Sequence, residues 1–144
     1  SLAMIYQDKI ITAHVGDSRI YRITKDEIKQ LTKDHSYVQE LVSVGKLTPE
    51  EAKHHPKKNF ITRAMGAEET VKVDINIIPY NGEKILVCSD GLTNFTTDEE
   101  IRDIMNEPHT LQENSEKLIE LANSRGGKDN ITIVALEKEN RDEQ

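Results

Sequence analysis

The sequence has a single cysteine, Cys88, no tryptophan, and no apolar run that approaches the length of a membrane span. One cysteine excludes an intrachain disulfide, which agrees with a reducing compartment. No signal peptide is visible, so we predict a cytoplasmic protein. Basic residues are also scarce, because 19 Lys and Arg stand against 26 Asp and Glu, a net charge of −7. That balance argues against nucleic acid or an anionic membrane as the main partner.

The apolar pattern predicts an α+β fold with a mainly antiparallel sheet. Four short strands joined as a meander are expected first, at 2–6, 10–15, 20–23 and 27–31. A helical insertion should follow at about 34–59, with Thr48 as the N-cap of its second helix. The chain is long enough for one domain of this kind.

The second half continues with two strands, two helices and a last strand. Alternation from Val71 to Ile77 predicts a strand with one wet face, and Asn81-Gly82 links it to the apolar run 85–88. That run has the composition of a strand buried on both faces. Thr97 and Thr110 each begin a capping box ahead of a helix, and the final strand is expected at 130–136.

Three acids stand at strand ends beside glycine or a turn-forming residue: Asp17, Asp90 and Asp129. Each alone is a plausible turn residue. Together they predict one shared site for a hard cation, because Mg²⁺ and Mn²⁺ prefer oxygen ligands and keep several waters. A water on such an ion is acidic enough to supply a nucleophile near neutral pH. A glycosidase-type pair of acids is the weaker alternative, since only two Phe and four Tyr are available for stacking on a sugar.

Five ordered motifs carry a resemblance to a known family. They are Ala-His-Val-Gly-Asp-Ser-Arg at 13–19, Leu-Thr-Lys-Asp-His-Ser at 31–36, Ile-Thr-Arg-Ala-Met-Gly at 61–66, Cys-Ser-Asp-Gly-Leu at 88–92, and Gly-Gly-Lys-Asp-Asn-Ile-Thr at 126–132. This combination resembles the protein phosphatase 2C type (the PPM family), its compact bacterial members most of all. The resemblance implies a β-sandwich flanked by helices, with residues 34–59 as a helical flap beside the active site.

The resemblance also implies a chemistry and a set of ligands. Asp90 and Asp129 match acids that hold a catalytic pair of Mn²⁺ or Mg²⁺ ions, and Asp17 matches an acid that forms a third, weaker site with the Asp90 position. The implied reaction is hydrolysis of phosphoserine or phosphothreonine by a metal-activated water. The partners would be phosphorylated proteins, the substrates of a cognate Ser/Thr kinase.

One departure from the family pattern concerns its N-terminal part. An acid near the start, a phosphate-binding arginine and an Asp-Gly-x-Gly-Gly stretch have no counterpart in this chain. We therefore expect residues 1–137 to be the C-terminal portion of a single catalytic domain, with 138–144 as a charged tail. On its own such a portion should bind metal weakly, turn over little, and dimerise through exposed apolar edges. The alternative is a non-catalytic phosphatase-like module that binds or regulates partners.

Other residues have plainer interpretations. His54-His55 lies in a polar loop and is expected to be solvated rather than to bind a transition metal, and His14 is expected to pack within a strand. Arg19 is expected to brace the turn at Asp17, and Arg63 to pair with a nearby acid. Cys88 is expected in the core.

Overall fold

A computed structural model describes residues 1–138, which form seven strands and five helices. The strands are β1 Leu2–Tyr6, β2 Lys9–His14, β3 Arg19–Ile23, β4 Ile28–Gln30, β5 Asp74–Pro79, β6 Lys84–Cys88 and β7 Ile133–Leu136. The helices are α1 Tyr37–Ser43, α2 Pro49–His54, α3 Asp90–Thr93, α4 Asp98–Met105 and α5 Leu111–Ser124. Except for Lys138, the predicted charged tail lies outside the described residues.

The strands form two antiparallel sheets, in the orders β1-β2-β5 and β4-β3-β6-β7. The α+β class and the antiparallel pairing are confirmed. The four-strand meander is wrong, because the turn at Gly16-Asp17-Ser18 carries the chain from β2 in one sheet to β3 in the other. Asn81-Gly82 likewise joins strands of different sheets instead of closing a hairpin. Both turns are therefore crossings between the layers of a sandwich.

Two apolar cores fix the order of the layers. The first lies between the sheets and is built on Ile10, Ile20, Tyr80 and Ile85. The second lies between the four-stranded sheet and the helices, and its buried members are Tyr21, Ile23, Leu86, Cys88, Leu92, Ile101, Ile104, Met105, Leu118 and Ala122. Successive residues of a strand point to opposite faces, so β6 supplies both cores. This confirms that its strand is buried on both sides.

The outer face of the three-stranded sheet is apolar and exposed. Ile75 and Ile77 of β5 are 64% and 62% exposed, and Met4 and Tyr6 on β1 are also exposed. The alternation predicts that this strand has one solvent-exposed face, and in the structure that face carries Ile75 and Ile77 while Ile78 packs against the core. Asp74 fixes this orientation, because its carboxylate bonds inward to the buried His35 and to Arg63.

The helices begin where capping signals predicted them. Thr48, Thr97 and Thr110 each accept a hydrogen bond from the backbone of the glutamate three residues on, and each glutamate returns one. The short helix α3 was not predicted. It begins at Asp90, and Ser89 before it makes no side-chain capping hydrogen bond that would mark a helix start. Within residues 1–138, no helix combines the length and apolar character needed to cross a bilayer.

Candidate metal centre and its cavity

Asp17 sits in the turn that joins β2 to β3. Gly16, the residue before it, has φ +106°, a backbone conformation that favours glycine. Both backbone polar groups of Gly16 are bonded to His35: its N–H donates to Nδ1 at 3.0 Å, and its carbonyl accepts from the His35 N–H at 2.8 Å. The residue before Asp17 is therefore fixed by two hydrogen bonds, and the Asp17 side chain itself is half-buried.

Asp90 is the first residue of α3, directly after the central strand β6. The next residue, Gly91, packs against the loop before β7, where a Cβ would lie 2.3 Å from the carbonyl oxygen of Asn130. Ser89 clamps the same loop, since its Oγ donates to Asn130 O and accepts from Thr132 N. The glycine and the serine therefore join the Asp90 turn to the segment that carries Asp129.

Asp129 lies on the surface of that loop. Its side chain is exposed, and its Oδ1 accepts from the backbone N–H of Asn130 at 2.7 Å. This is the local hydrogen bond expected of an aspartate in a turn. Asp129 is thus brought near Asp90 by the backbone contact of Gly91 with Asn130, but it does not line the cavity described next.

Burial and a neighbouring carboxylate raise the pKa of both Asp17 and Asp90. Burial raises the pKa of Asp17, and the charge of Asp90 raises it further. Burial also raises the pKa of Asp90, with the charge of Asp129 as the next contribution. Like charges close together disfavour ionisation. The three acids therefore form one electrostatically coupled group in which a bound cation would relieve repulsion.

An open cavity of about 850 Å³ adjoins this group. Asp17 and Asp90 both line it. The helical insertion (residues 34–59) contributes Lys53 and His54 to the wall, and Arg125 at the end of α5 also lines it. Asp34, Asp98 and Glu99 also line the wall, so the cavity presents five carboxylates together with basic side chains that include Lys53 and Arg125. Carboxylates suit a divalent ion, and the basic groups suit an anionic ligand.

The donor set fits a hard divalent ion, though only in part. Carboxylate oxygens are the ligands that Mg²⁺ and Mn²⁺ prefer, and these ions keep several waters when few protein ligands are present. Among residues 1–138, however, no group of three or more His, Cys, Asp or Glu side chains is close enough to hold an ion. Among the described residues, Asp17 and Asp90 bring carboxylate oxygens from two different turns to the cavity wall, with Asp129 adjacent to Asp90.

Arg19 does not brace Asp17 directly, which corrects the sequence-based expectation. It donates from Nε and Nη2 to both carboxylate oxygens of Asp34, at 3.0 and 2.8 Å, and from Nη1 to the Tyr21 hydroxyl. Gln30 donates to the same Asp34 carboxylate. This bidentate ion pair joins β3 to the start of the helical insertion. Its two residues are 15 positions apart, and no sequence pattern indicates that they would meet.

Most of the remaining predicted residues lie as expected. His14 is 2% exposed and His54 lies on the surface. His55, also predicted to be solvated, is partly buried, and its ring centroid lies 6.1 Å from that of Tyr37. Arg63 Nη1 donates to Asp74 Oδ1 at 2.8 Å, so its predicted pairing with an acid is confirmed. Cys88 is buried, and burial raises the pKa of its thiol to about 12, so it has no nucleophilic character at neutral pH.

Comparison with known proteins gives a consistent result. The family model described as Protein phosphatase 2C matches residues 1–124. The serine/threonine phosphatase stp of Listeria innocua is 42% identical over 137 residues, which are 94% of this chain and 54% of that protein. The crystal structure of serine/threonine phosphatase Stp1 from Staphylococcus aureus superposes with a TM-score of 0.91 at 38% identity, over 95% of this chain and 54% of that one.

A further solved structure contains metal. The catalytic domain of serine threonine protein phosphatase PstP, in complex with two manganese ions, superposes with a TM-score of 0.81 at 36% identity. The match covers 92% of this chain and 55% of that domain. The chain spans about half the length of the relatives that it matches.

Proposed function

Because the chain belongs to the protein phosphatase 2C family, we propose that it forms part of a metal-dependent protein Ser/Thr phosphatase that hydrolyses phosphoserine and phosphothreonine. One observation carries the proposal: Asp17 and Asp90, on turns after two different strands, line the same open cavity and repel one another there. Converging carboxylates with raised pKa values are typical of metal or catalytic sites.

In this proposal Asp90 and Asp129 hold the catalytic pair of ions, and Asp17 with Asp90 holds a third. When bound, Mn²⁺ or Mg²⁺ would supply an activated water and neutralise charge on the phosphoryl group. The neighbouring PstP domain with its two manganese ions supports the choice of metal. The protein's own contribution is to hold Asp17 and Asp90 on turns that follow two strands, to hold Asp129 in the adjoining loop, and to leave the cavity open to a phosphorylated side chain.

Residues 34–59 are proposed to act as a flap over the substrate. The insertion is anchored at its neck, where Tyr37 N donates to Phe60 O and Thr62 N donates to His35 O. Lys53 and His54 of this insertion line the cavity. The Lys53 ammonium there would favour a phosphoprotein, the substrate of a cognate Ser/Thr kinase. A cytoplasmic location fits the single buried cysteine.

A manganese-dependent phosphatase assay tests the activity. We expect the full-length gene product to release phosphate from a phosphothreonine peptide only with Mn²⁺ or Mg²⁺, and the 144-residue chain alone to release little. Asp90→Asn should abolish the activity, whereas Asp26→Asn, an exposed acid in the turn between β3 and β4, should not. Metal-independent turnover, or full activity in Asp90→Asn, would overturn the proposal.

A second candidate is a non-catalytic module of the same fold that binds or regulates phosphoproteins. It is favoured by one observation, that residues 1–138 bring together no group of three or more metal-ligating side chains. The two candidates differ in isothermal titration with the phosphopeptide. A module would bind it equally with and without Mn²⁺, and a phosphatase would need the metal.

Self-association is the last element of the proposal. The two edge strands of the three-stranded sheet, β1 and β5, carry exposed apolar residues that include Met4 and Ile77, which supports a dimer of the chain. Sedimentation velocity tests it. The wild-type chain should sediment as a dimer at micromolar concentration and Ile77→Lys as a monomer, and a monomeric wild-type chain would exclude this form of association.

A further inference from the structure

His35 forms hydrogen bonds through both its backbone and its ring, although it does not line the cavity. It is 6% exposed and stands at the start of the helical insertion. Its backbone and its ring together satisfy both the N–H and the carbonyl of Gly16, the residue before Asp17. Its own carbonyl accepts from Thr62 N at 2.8 Å, which closes the neck of the insertion. One residue therefore contacts both the turn that carries Asp17 and the neck of the insertion.

The direction of these bonds sets the tautomer of the ring. A backbone N–H can only donate, so His35 Nδ1 must be the unprotonated acceptor from Gly16. The proton of the neutral ring is then on Nε2, which lies 2.7 Å from Asp74 Oδ2 and donates to it. Arg63 donates to the other oxygen of Asp74 at 2.8 Å. The carboxylate of Asp74, itself held by Arg63, thus selects the tautomer that Gly16 needs.

A neighbouring histidine offers a contrast. The ring of His14 lies 4.7 Å from that of His35 and is equally buried. Its Nε2 bonds to the carbonyl of Lys33 and its Nδ1 to the hydroxyl of Ser1, so none of its side-chain bonds reaches the Asp17 turn. Of the two histidines, only His35 bonds directly to the turn that carries Asp17, whereas His14 reaches that turn through Ser1, whose hydroxyl also donates to the Ser18 carbonyl.

We infer that His35 is a positioning residue that fixes the Asp17 carboxylate for metal binding and couples it to the neck of the helical insertion, with Asp74 orienting the ring. The inference rests on the proposed function, since Asp17 is a ligand only in that proposal. Groups that orient metal ligands are commonly worth 10- to 100-fold in metal affinity. If the helical insertion moved, His35 at its neck would move with it, and the bonds from His35 to Gly16 would shift Asp17.

Two substitutions at His35 separate positioning from packing. In His35→Asn the side-chain oxygen takes the place of Nδ1 and can still accept from Gly16, whereas the bond to Asp74 is lost. In His35→Gln the amide reaches Asp74, but the acceptor beside Gly16 is lost. Both variants remove the buried ring, so a packing role alone predicts equal effects.

The readout is Mn²⁺ affinity of the 144-residue chain by isothermal titration calorimetry, with circular dichroism to measure the folded fraction. We expect His35→Gln to raise the dissociation constant of the Asp17-dependent site by about 10- to 100-fold, and His35→Asn to stay within about threefold of wild type. Asp74→Asn keeps the His35 ring that accepts from Gly16 but removes the carboxylate that orients that ring. It should therefore weaken Mn²⁺ binding by an intermediate factor. His14→Asn is the matched control and should lower the thermal midpoint while leaving Mn²⁺ affinity unchanged.

The possible outcomes distinguish this inference from the proposed function. A wild-type chain that binds Mn²⁺ with no dependence on Asp17 or Asp90 would overturn the metal site and the inference together. A wild-type chain that binds Mn²⁺ through Asp17, with folded His35→Gln binding equally well, would overturn the inference alone. Equal loss of affinity in His35→Gln, His35→Asn and His14→Asn would assign these histidines a packing role instead.

Discussion

Gly91 lies so close to the backbone of Asn130 that a Cβ at position 91 would be 2.3 Å from the Asn130 carbonyl oxygen. Real Cβ atoms do not approach backbone oxygen at that distance, and the obstacle is main chain, which cannot rotate away. The contact brings the Asp90 turn and the Asp129 loop together. The glycine at 91 is therefore required by space, whereas the other glycines have positive φ.

Gly91→Ala should destabilise the chain and weaken metal binding together. Relieving the overlap means separating α3 from the loop before β7, which costs about 1–3 kcal/mol in the free energy of unfolding. Because Asp90 and Asp129 then move apart, Mn²⁺ should bind more weakly. Urea unfolding and calorimetry measure the two effects.

Gly45→Ala is the control for that substitution. Gly45 has φ +73°, but a Cβ there would meet no atom within 4 Å. It should cost about 1–2 kcal/mol from backbone strain and leave Mn²⁺ affinity unchanged. A Gly91→Ala chain with wild-type stability would show that α3 and the loop are not in contact as described.

Arg19→Lys should destabilise the chain although it keeps the charge. The guanidinium makes a two-pronged contact with Asp34 that a single ammonium cannot reproduce. Loss of charge-assisted hydrogen bonds in this partly buried pair should cost about 1.5–3 kcal/mol. Arg22→Lys on the same strand is the control, since its contact with Glu83 is a single one at 4.0 Å. Urea unfolding should show a change below about 0.5 kcal/mol for that control, and equal losses in the two variants would contradict the role of the bidentate pair.

How much of this could be read from the sequence depends on the range of the interaction. Capping boxes are local, so Thr48, Thr97 and Thr110 located three helix starts correctly. The three acids were singled out because each follows or precedes an apolar run next to a turn residue. Their position relative to the cavity is not local, and only Asp17 and Asp90 of the three line it.

Sheet membership could not be read in the same way. Gly16-Asp17-Ser18 has the composition of a tight turn whether it joins partners in one sheet or crosses between two, and the structure shows a crossing. Which face of β5 points outward also depends on distant residues. Asp74 faces inward because His35 and Arg63, 39 and 11 residues away, bond its carboxylate. Such long-range polar partners leave no periodic signal in the sequence.

Asp90→Asn should stabilise the metal-free chain and abolish its response to metal. Burial and the charge of Asp129 raise the pKa of Asp90, so its ionised form is disfavoured by folding. For an acid with a raised pKa, stability is lost as pH rises through that pKa and remains lost at neutral pH. In EDTA at pH 7, differential scanning fluorimetry should show a rise of about 2–4 °C for the variant.

Addition of Mn²⁺ should reverse that order. A ligand that binds only the native state raises the midpoint of wild type, and the variant should show no such rise. Asp26→Asn, which removes an exposed charge away from the cavity, should follow wild type in both conditions. A variant less stable than wild type in EDTA would refute the repulsion among these acids.

The ion pair between Glu100 and Arg125 should make stability depend on pH in the acid range. Hydrogen bonds from the Arg125 guanidinium, and then from the backbone of Thr97, lower the pKa of Glu100 to about 2, against about 4.3 in an unfolded chain. A carboxyl with a lowered pKa contributes its full stability above the unfolded pKa value and loses it as pH falls towards the folded pKa value.

Because the pair is partly exposed to solvent, Glu100→Gln should lower the free energy of unfolding by about 0.5–1 kcal/mol at pH 6. The cost should shrink steadily from pH about 4.3 to pH about 2, whereas Glu99→Gln, an exposed acid in the same helical turn, should show little cost at either pH. Urea titrations at pH 6 and pH 3 provide the comparison, and a cost for Glu100→Gln that is the same at both would mean that Arg125 does not hold this carboxylate in solution.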